Sequence, residues 1–274
     1  MPFSGENAES YYDDGLTASM KGDWARAARC FEKAIQLDAK FLAAYHQLAR
    51  CYLREGQGQR AVHLLQQVVE RKPDLAPPRL DLGYALISIG RVEEARQQFE
   101  RLVAVDPGNG RAFLGLAKVS FEEGDWPTAM ARARAALDRS GPSFGVLFLL
   151  GRAAKLTGDS AVADASLERA DALIEKSLEL QSDQPEGYYL RGEVCFVRAK
   201  YADALEQYRA AEVRAERTGC YGAFGEAFTF VDILAKQGLC FQKLGKPDRA
   251  REMGRQIVEI DPEHALGKAL SELE

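Results

Sequence analysis

Apolar residues along this chain repeat with a helical period that is nested inside a longer one. In the stretch Ala76 to Asn109, Leu82 and Leu86 share one helical face, Gly90 interrupts, and Phe99 and Leu102 share a second face before Asp106 and Pro107. The spacing predicts two short amphipathic helices, A and B, joined at a glycine able to take left-handed backbone and stopped by a proline. The unit recurs: Gly22, Gly56, Gly90, Gly124 and Gly158 stand 34 residues apart. An alanine follows each glycine by five residues (Ala27, Ala61, Ala95, Ala129, Ala163), and a residue with almost no side chain precedes each by seven (Gly15, Ala49, Gly83, Ala117, Gly151). These small residues leave little bulk between the two axes, so A and B can pack antiparallel at close range. One such hairpin cannot bury its apolar face alone, and a period of this length predicts a solenoid of stacked units.

Seven units are expected over residues 8–264, starting near residues 8, 42, 76, 110, 144, 185 and 231, after a disordered tail at 1–7. Ala133 stands where the pattern wants a large residue, which predicts a thinner interior in the fourth unit, and Gly254 departs from the pattern in the same way in the seventh. The second helix of the fifth unit fits twice, with Ala163, Leu167 and Ala170 and again with Ala170, Ile174 and Ser177. Such a seven-residue insertion turns the apolar stripe by only about 20°, so the array stays in phase. The segment GCYGAFGEAFTF at 219–230 breaks the period again, and Phe224, Phe228, Val231 and Leu234 at helical spacing predict a longer helix there. Tyr221, Phe224 and Phe228 give it more aromatic surface than a helix end buries. It therefore either packs on the sixth unit or forms a second partner surface. Leu266, Leu270 and Leu273 share a stripe in residues 265–274, the pattern of a terminal capping helix.

The period, the helix-turn-helix unit and the positions of Gly83, Ala95, Phe99 and Pro107 resemble the tetratricopeptide repeat. The resemblance implies an all-α fold, a right-handed superhelical α-solenoid of antiparallel helix pairs, whose A helices line a concave groove that holds a peptide or partner domain. Carried over position by position, it implies a groove lined by Arg50, Arg54, Leu80, Tyr84, Lys118, Phe121, Phe148, Arg152, Lys155 and Tyr189. The alternative for each apolar member is packing between neighbouring helices. Basic side chains among aromatic ones favour an acidic segment with apolar anchors. Some members of the family grip the terminal carboxylate of chaperone tails with lysine, asparagine and arginine. Here the corresponding positions carry Tyr12, Leu16, Gln47, Pro77 and Asp81, which argues against that use.

Composition narrows the function classes. Lys and Arg number 36 against 41 Asp and Glu, a net charge of −5 with both signs interspersed, which argues against nucleic acid. The five cysteines form no CxxC pair; Cys30, Cys51, Cys195 and Cys240 sit in helix patterns as reduced structural thiols, and Cys220 lies in the irregular segment. No apolar run reaches a membrane span and no leader pattern opens the chain, so a cytoplasmic protein is expected. His46, His63 and His264 are scattered without metal or catalytic spacing, and no phosphate loop or nucleophile elbow occurs. The expectation is a non-catalytic adaptor without cofactor or metal, its partner a protein or peptide. A self-assembling structural scaffold is the alternative, so a homo-oligomer stays open.

Overall fold

The computed structural model describes residues 7–223 and 226–273, which divide into one unit ending at Ser140 and another beginning at Gly141. Among the described residues the first unit holds α1 (Ala8–Met20), α2 (Trp24–Leu37), α3 (Leu42–Arg54), α4 (Gly58–Arg71), α5 (Ala76–Ser88), α6 (Val92–Val105), α7 (Gly110–Glu122) and α8 (Trp126–Ser140). Each helix packs on the next, so α1, α3, α5 and α7 are A helices and the others B helices. Asn7, which the sequence reading placed in the tail, caps α1 by accepting from Ser10 N at 2.8 Å. Residues 1–6, the rest of the expected tail, lie outside the described residues.

The second unit holds α9 (Phe144–Thr157), α10 (Ser160–Leu180), α11 (Pro185–Val197), α12 (Tyr201–Arg214), strands β1 (Cys220–Ala223) and β2 (Glu226–Thr229), then α13 (Phe230–Lys243), α14 (Pro247–Ile260) and α15 (Ala265–Ser271). The hairpin corrects the helix expected from Phe224. Tyr221 pairs with Phe228 across the two antiparallel strands. Thr229 then starts α13 with a reciprocal cap: its Oγ1 accepts from Asp232 N, and Asp232 Oδ2 accepts from Thr229 N at 2.7 Å. Helix α10 is one continuous helix of 21 residues, with Ala163, Leu167, Ala170 and Ile174 buried along both registers read in the sequence.

Small residues in A face large residues in B. A methyl group added at Gly15, Gly83, Gly151 or Gly192 would overlap Phe31, Phe99, Leu167 or Tyr208, all buried. In the seventh repeat Gly254 supplies no such side chain, and the backbone of α15 lies against it. Leu270 of α15, 1% exposed, fills the vacated space next to Gly238. In the fourth repeat Arg132 reaches across to α7, its Nη1 donating to Ser120 Oγ at 2.7 Å and Leu116 O at 3.2 Å.

A second recurrent device ties the end of B to the entry of A. Arg71, Arg139 and Arg214 each donate to a carbonyl 32 residues earlier, those of Ala39 (3.1 Å), Pro107 (2.9 Å) and Ser182 (2.9 Å). The same guanidinium groups lie over Tyr45, Phe113 and Tyr188, at 5.2, 4.0 and 4.1 Å from the ring centroids. In the third repeat the chemistry is transposed. Arg79 occupies the aromatic position and donates to Pro73 O at 2.7 Å, while Val105 stands exposed at the arginine position.

Candidate functional site

Side chains of successive A helices meet along one side of the first unit. His46 of α3 places Nε2 2.8 Å from Asp81 Oδ2 of α5. Tyr84 of α5 donates its hydroxyl to Arg111 O of α7 at 3.0 Å, and Lys118 Nζ of α7 lies 5.7 Å from the Tyr84 ring centroid. Arg50, Tyr84 and Lys118 occupy the same place in consecutive repeats, 34 residues apart. Helical repetition therefore sets them in a column, one per A helix. Arg50 is exposed, with Nη1 donating to Gln47 Oε1 at 3.2 Å. Arg54 is half-buried, its guanidinium 5.3 Å from the Trp24 ring. Phe121 and Lys118 are half-buried as well, whereas Leu80 is 4% exposed and belongs to the core.

In the second unit the expected residues divide differently. Phe148 and Tyr189 are buried, Arg152 lies 5.5 Å over the Phe148 ring, and Lys155 is exposed. Tyr189 stacks on Phe228 of the hairpin at 3.8 Å and 8°, and Phe228 stacks in turn on Tyr221 at 5.5 Å. Phe228 is 2% exposed, so of its two readings packing on the sixth repeat is the one its position satisfies. Phe224 lies outside the described residues. Burial thus sets Leu80, Phe148 and Tyr189 into packing, while Leu53, Ile87 and Leu114 are among the apolar side chains of the A helices that stay half-buried.

Sequence reasoning missed the polar links between A helices. In the second unit Glu193 of α11 accepts from the Tyr208 hydroxyl at 2.5 Å and pairs with Lys236 of α13 at 2.7 Å. Burial, and then the Glu193 charge, raise the Tyr208 phenol well above its ordinary value. Glu193 and Lys236 stand 43 residues apart across the 219–230 insert, so the 34-residue register does not pair them.

Two buried thiols and the histidines His63 and His264 are engaged within the fold. Burial pushes the Cys51 thiol up to about 11 and the Cys240 thiol up to about 12, which leaves both protonated and poorly nucleophilic at neutral pH. His264 Nδ1 accepts from Gly267 N at 3.1 Å and caps α15, and His63 pairs with Gln67 at 2.9 Å. Among the described residues no three His, Cys, Asp or Glu side chains are grouped as a metal site, and no helix is long and apolar enough to cross a membrane.

The tetratricopeptide repeat family matches residues 18–74, 52–119 and 232–264. Among curated proteins, the chain is 32% identical over 101 residues to DnaJ homolog subfamily C member 3 of Gallus gallus, covering 37% of this chain and 20% of that protein. It is 31% identical over 133 residues to FK506-binding protein-like of Mus musculus, covering 46% and 38%. The chain therefore spans well under half the length of these relatives. Among solved structures, a tetratricopeptide repeat protein from Parabacteroides merdae superposes with a TM-score of 0.60 at 13% identity, covering 97% of this chain and 98% of that one. A MamA protein from Desulfovibrio magneticus RS-1 superposes with a TM-score of 0.54 at 20% identity, covering 63% and 97%. These two likenesses concern the fold. With the matched repeats, the glycine-closed A helices and the small-to-large packing of A on B, the chain belongs to the tetratricopeptide repeat family of protein-interaction modules.

Proposed function

We propose that this protein is a non-catalytic adaptor whose A-helix face in the first unit receives an acidic segment carrying apolar anchors. The observation that carries this reading is the column Arg50, Tyr84, Lys118, one residue per A helix, beside Arg54 and Arg111. Asp81, on the same side, is held in a 2.8 Å hydrogen bond with His46 Nε2. A segment with carboxylates spaced along it meets the cations of α3 and α7 on either side of Tyr84, while half-buried Leu53, Ile87 and Leu114 offer apolar contact between them. Non-catalytic use accords with buried, protonated thiols and histidines engaged in caps and interhelical pairs.

A fluorescein-labelled peptide of alternating acidic and leucine residues, compared with the same peptide carrying Gln for Glu, tests the reading by anisotropy. The acidic peptide should bind the wild type more tightly. The double variant Arg50→Glu, Lys118→Glu should lose about tenfold or more in affinity while keeping its helical circular dichroism. Equal binding of the two peptides, or full affinity in the double variant, would place the partner elsewhere.

A further inference from the structure

The two places where the sequence departs from its 34-residue period come together in the second unit. Helix α10 has 21 residues, whereas the B helices α2, α4, α6, α12 and α14 have 14 each. The surplus turns of α10, the start of α11 and strand β1 enclose a cleft of about 260 Å³. Its apolar wall is Ile174, Leu178 and Leu190, and β1 contributes Gly222. Ser177, Gln184 and Glu186 bring the polar groups. Gly187 lets α11 approach, since a methyl group there would lie 2.5 Å from Leu178.

Glu186 is incompletely compensated. Its Oε2 is buried and has no hydrogen-bond partner, which is costly for a carboxylate. The arginine on the same helix is already engaged: Arg191 lies 3.1 Å from Asp171 and 3.8 Å from Glu175. Across residues 171–191 there are five acidic residues (Asp171, Glu175, Glu179, Asp183, Glu186) against Lys176 and Arg191, and Arg214 reaches the same turn at Ser182 O. The cleft is thus lined by a carboxylate one of whose oxygens, Oε2, lacks a donor, with an excess of acidic residues nearby and an apolar wall beside it.

We propose that this cleft binds the arginine side chain of a partner segment, at a site separate from the A-helix face of the first unit. A guanidinium presents its donors in a planar fork suited to a carboxylate, here approached from the side of Glu186 that lines the cleft. Its spare N–H groups have the Ser177 hydroxyl and the Gln184 amide within the same cleft, and its aliphatic stem has the leucine and isoleucine wall. The volume is just below the range of pockets that take drug-sized ligands, which suits one side chain.

The probe is Nα-acetyl-arginine amide, titrated into the full chain and followed by backbone amide shifts of Gly187 and Gly222. The neutral isostere Nα-acetyl-citrulline amide is the control. Saturable shifts from arginine and about tenfold weaker binding of citrulline are expected, with about tenfold weaker binding of arginine to Glu186→Gln. Ser177→Phe, which fills the cleft and keeps the carboxylate, should abolish the shifts. Because Glu186 Oε2 is buried without a partner, Glu186→Gln should melt no lower than the wild type. Citrulline binding as well as arginine, unchanged affinity in either variant, or a clearly lowered melting temperature of Glu186→Gln would overturn the proposal. None of these outcomes bears on the acidic-peptide reading, since Arg50 and Lys118 are unaltered.

Discussion

Ala199 holds, in the sixth repeat, the place that a glycine holds at the end of the other A helices. Its φ is +60°, beside +77° at Gly90 and +83° at Gly158. Left-handed backbone costs a residue with a Cβ about 1–2 kcal/mol, so Ala199→Gly should raise stability by about 1 kcal/mol in denaturant melts. The converse change isolates the same term, because a methyl group added at Gly90 meets nothing within 4 Å. Gly90→Ala should therefore cost about 1 kcal/mol through the backbone alone. A loss at Gly90 without a gain at Ala199 would mean that the sixth turn is held by something other than its dihedral angle. Arg139 is a second residue-scale test. It is solvent-exposed yet bonded to Pro107 O and stacked at 4.0 Å on Phe113, so Arg139→Ala should cost about 1 kcal/mol, well above an ordinary surface substitution.

At the scale of elements, legibility followed periodicity. The A and B helices are written in the 3.6-residue pattern and in small residues placed against large ones, because a methyl group too many at Gly83 would meet Phe99. The hairpin was misread because Phe224, Phe228, Val231 and Leu234 also fall at helical spacing, and apolar spacing alone does not separate a short strand from a helix start. The signal that does is Thr229 followed three residues later by Asp232, the reciprocal cap that starts α13. The candidate site was legible only in its charges. Arg50 and Lys118 could be placed by register, but the burial of Leu80, Phe148 and Tyr189 depends on which neighbouring helix each meets. The arginine clasps escaped because each joins an aromatic residue and a loop carbonyl from distant parts of a repeat, and only in alternate repeats. Gly254 departs from the pattern's large residue because the backbone of α15 takes that place from outside the repeat. Leu270→Ala should then behave as a core truncation, costing about 2–5 kcal/mol, although it lies in the last helix. Gly254→Leu should displace α15 and expose its cover to proteolysis. A Leu270→Ala protein as stable as the wild type would deny α15 its role in closing the seventh repeat.

At the scale of the whole molecule, two electrostatic effects of opposite sign act on an acidic partner. The chain carries a net charge of −5, which repels such a segment at long range. The cations of α3 and α7 attract it once it lies within about a Debye length, some 8–10 Å at physiological salt. Salt screens both, so the sign of the salt dependence reports which one governs encounter. The column Arg50, Tyr84, Lys118 sets two cations on one side of the first unit, beside Arg54 and Arg111 and opposite the single carboxylate of Asp81 hydrogen-bonded there to His46. Local attraction should therefore dominate. Measured by stopped-flow anisotropy, the association rate constant of the acidic probe peptide should fall as salt rises from about 50 to about 300 mM. Its dissociation rate should change little, because apolar contacts hold the bound state. In Arg50→Glu, Lys118→Glu the local field reverses and adds to the net charge, so the association rate should now rise with salt. A wild-type rate that rises with salt, or a slope that the double variant leaves unaltered, would show that the A-helix face of the first unit does not steer the acidic segment.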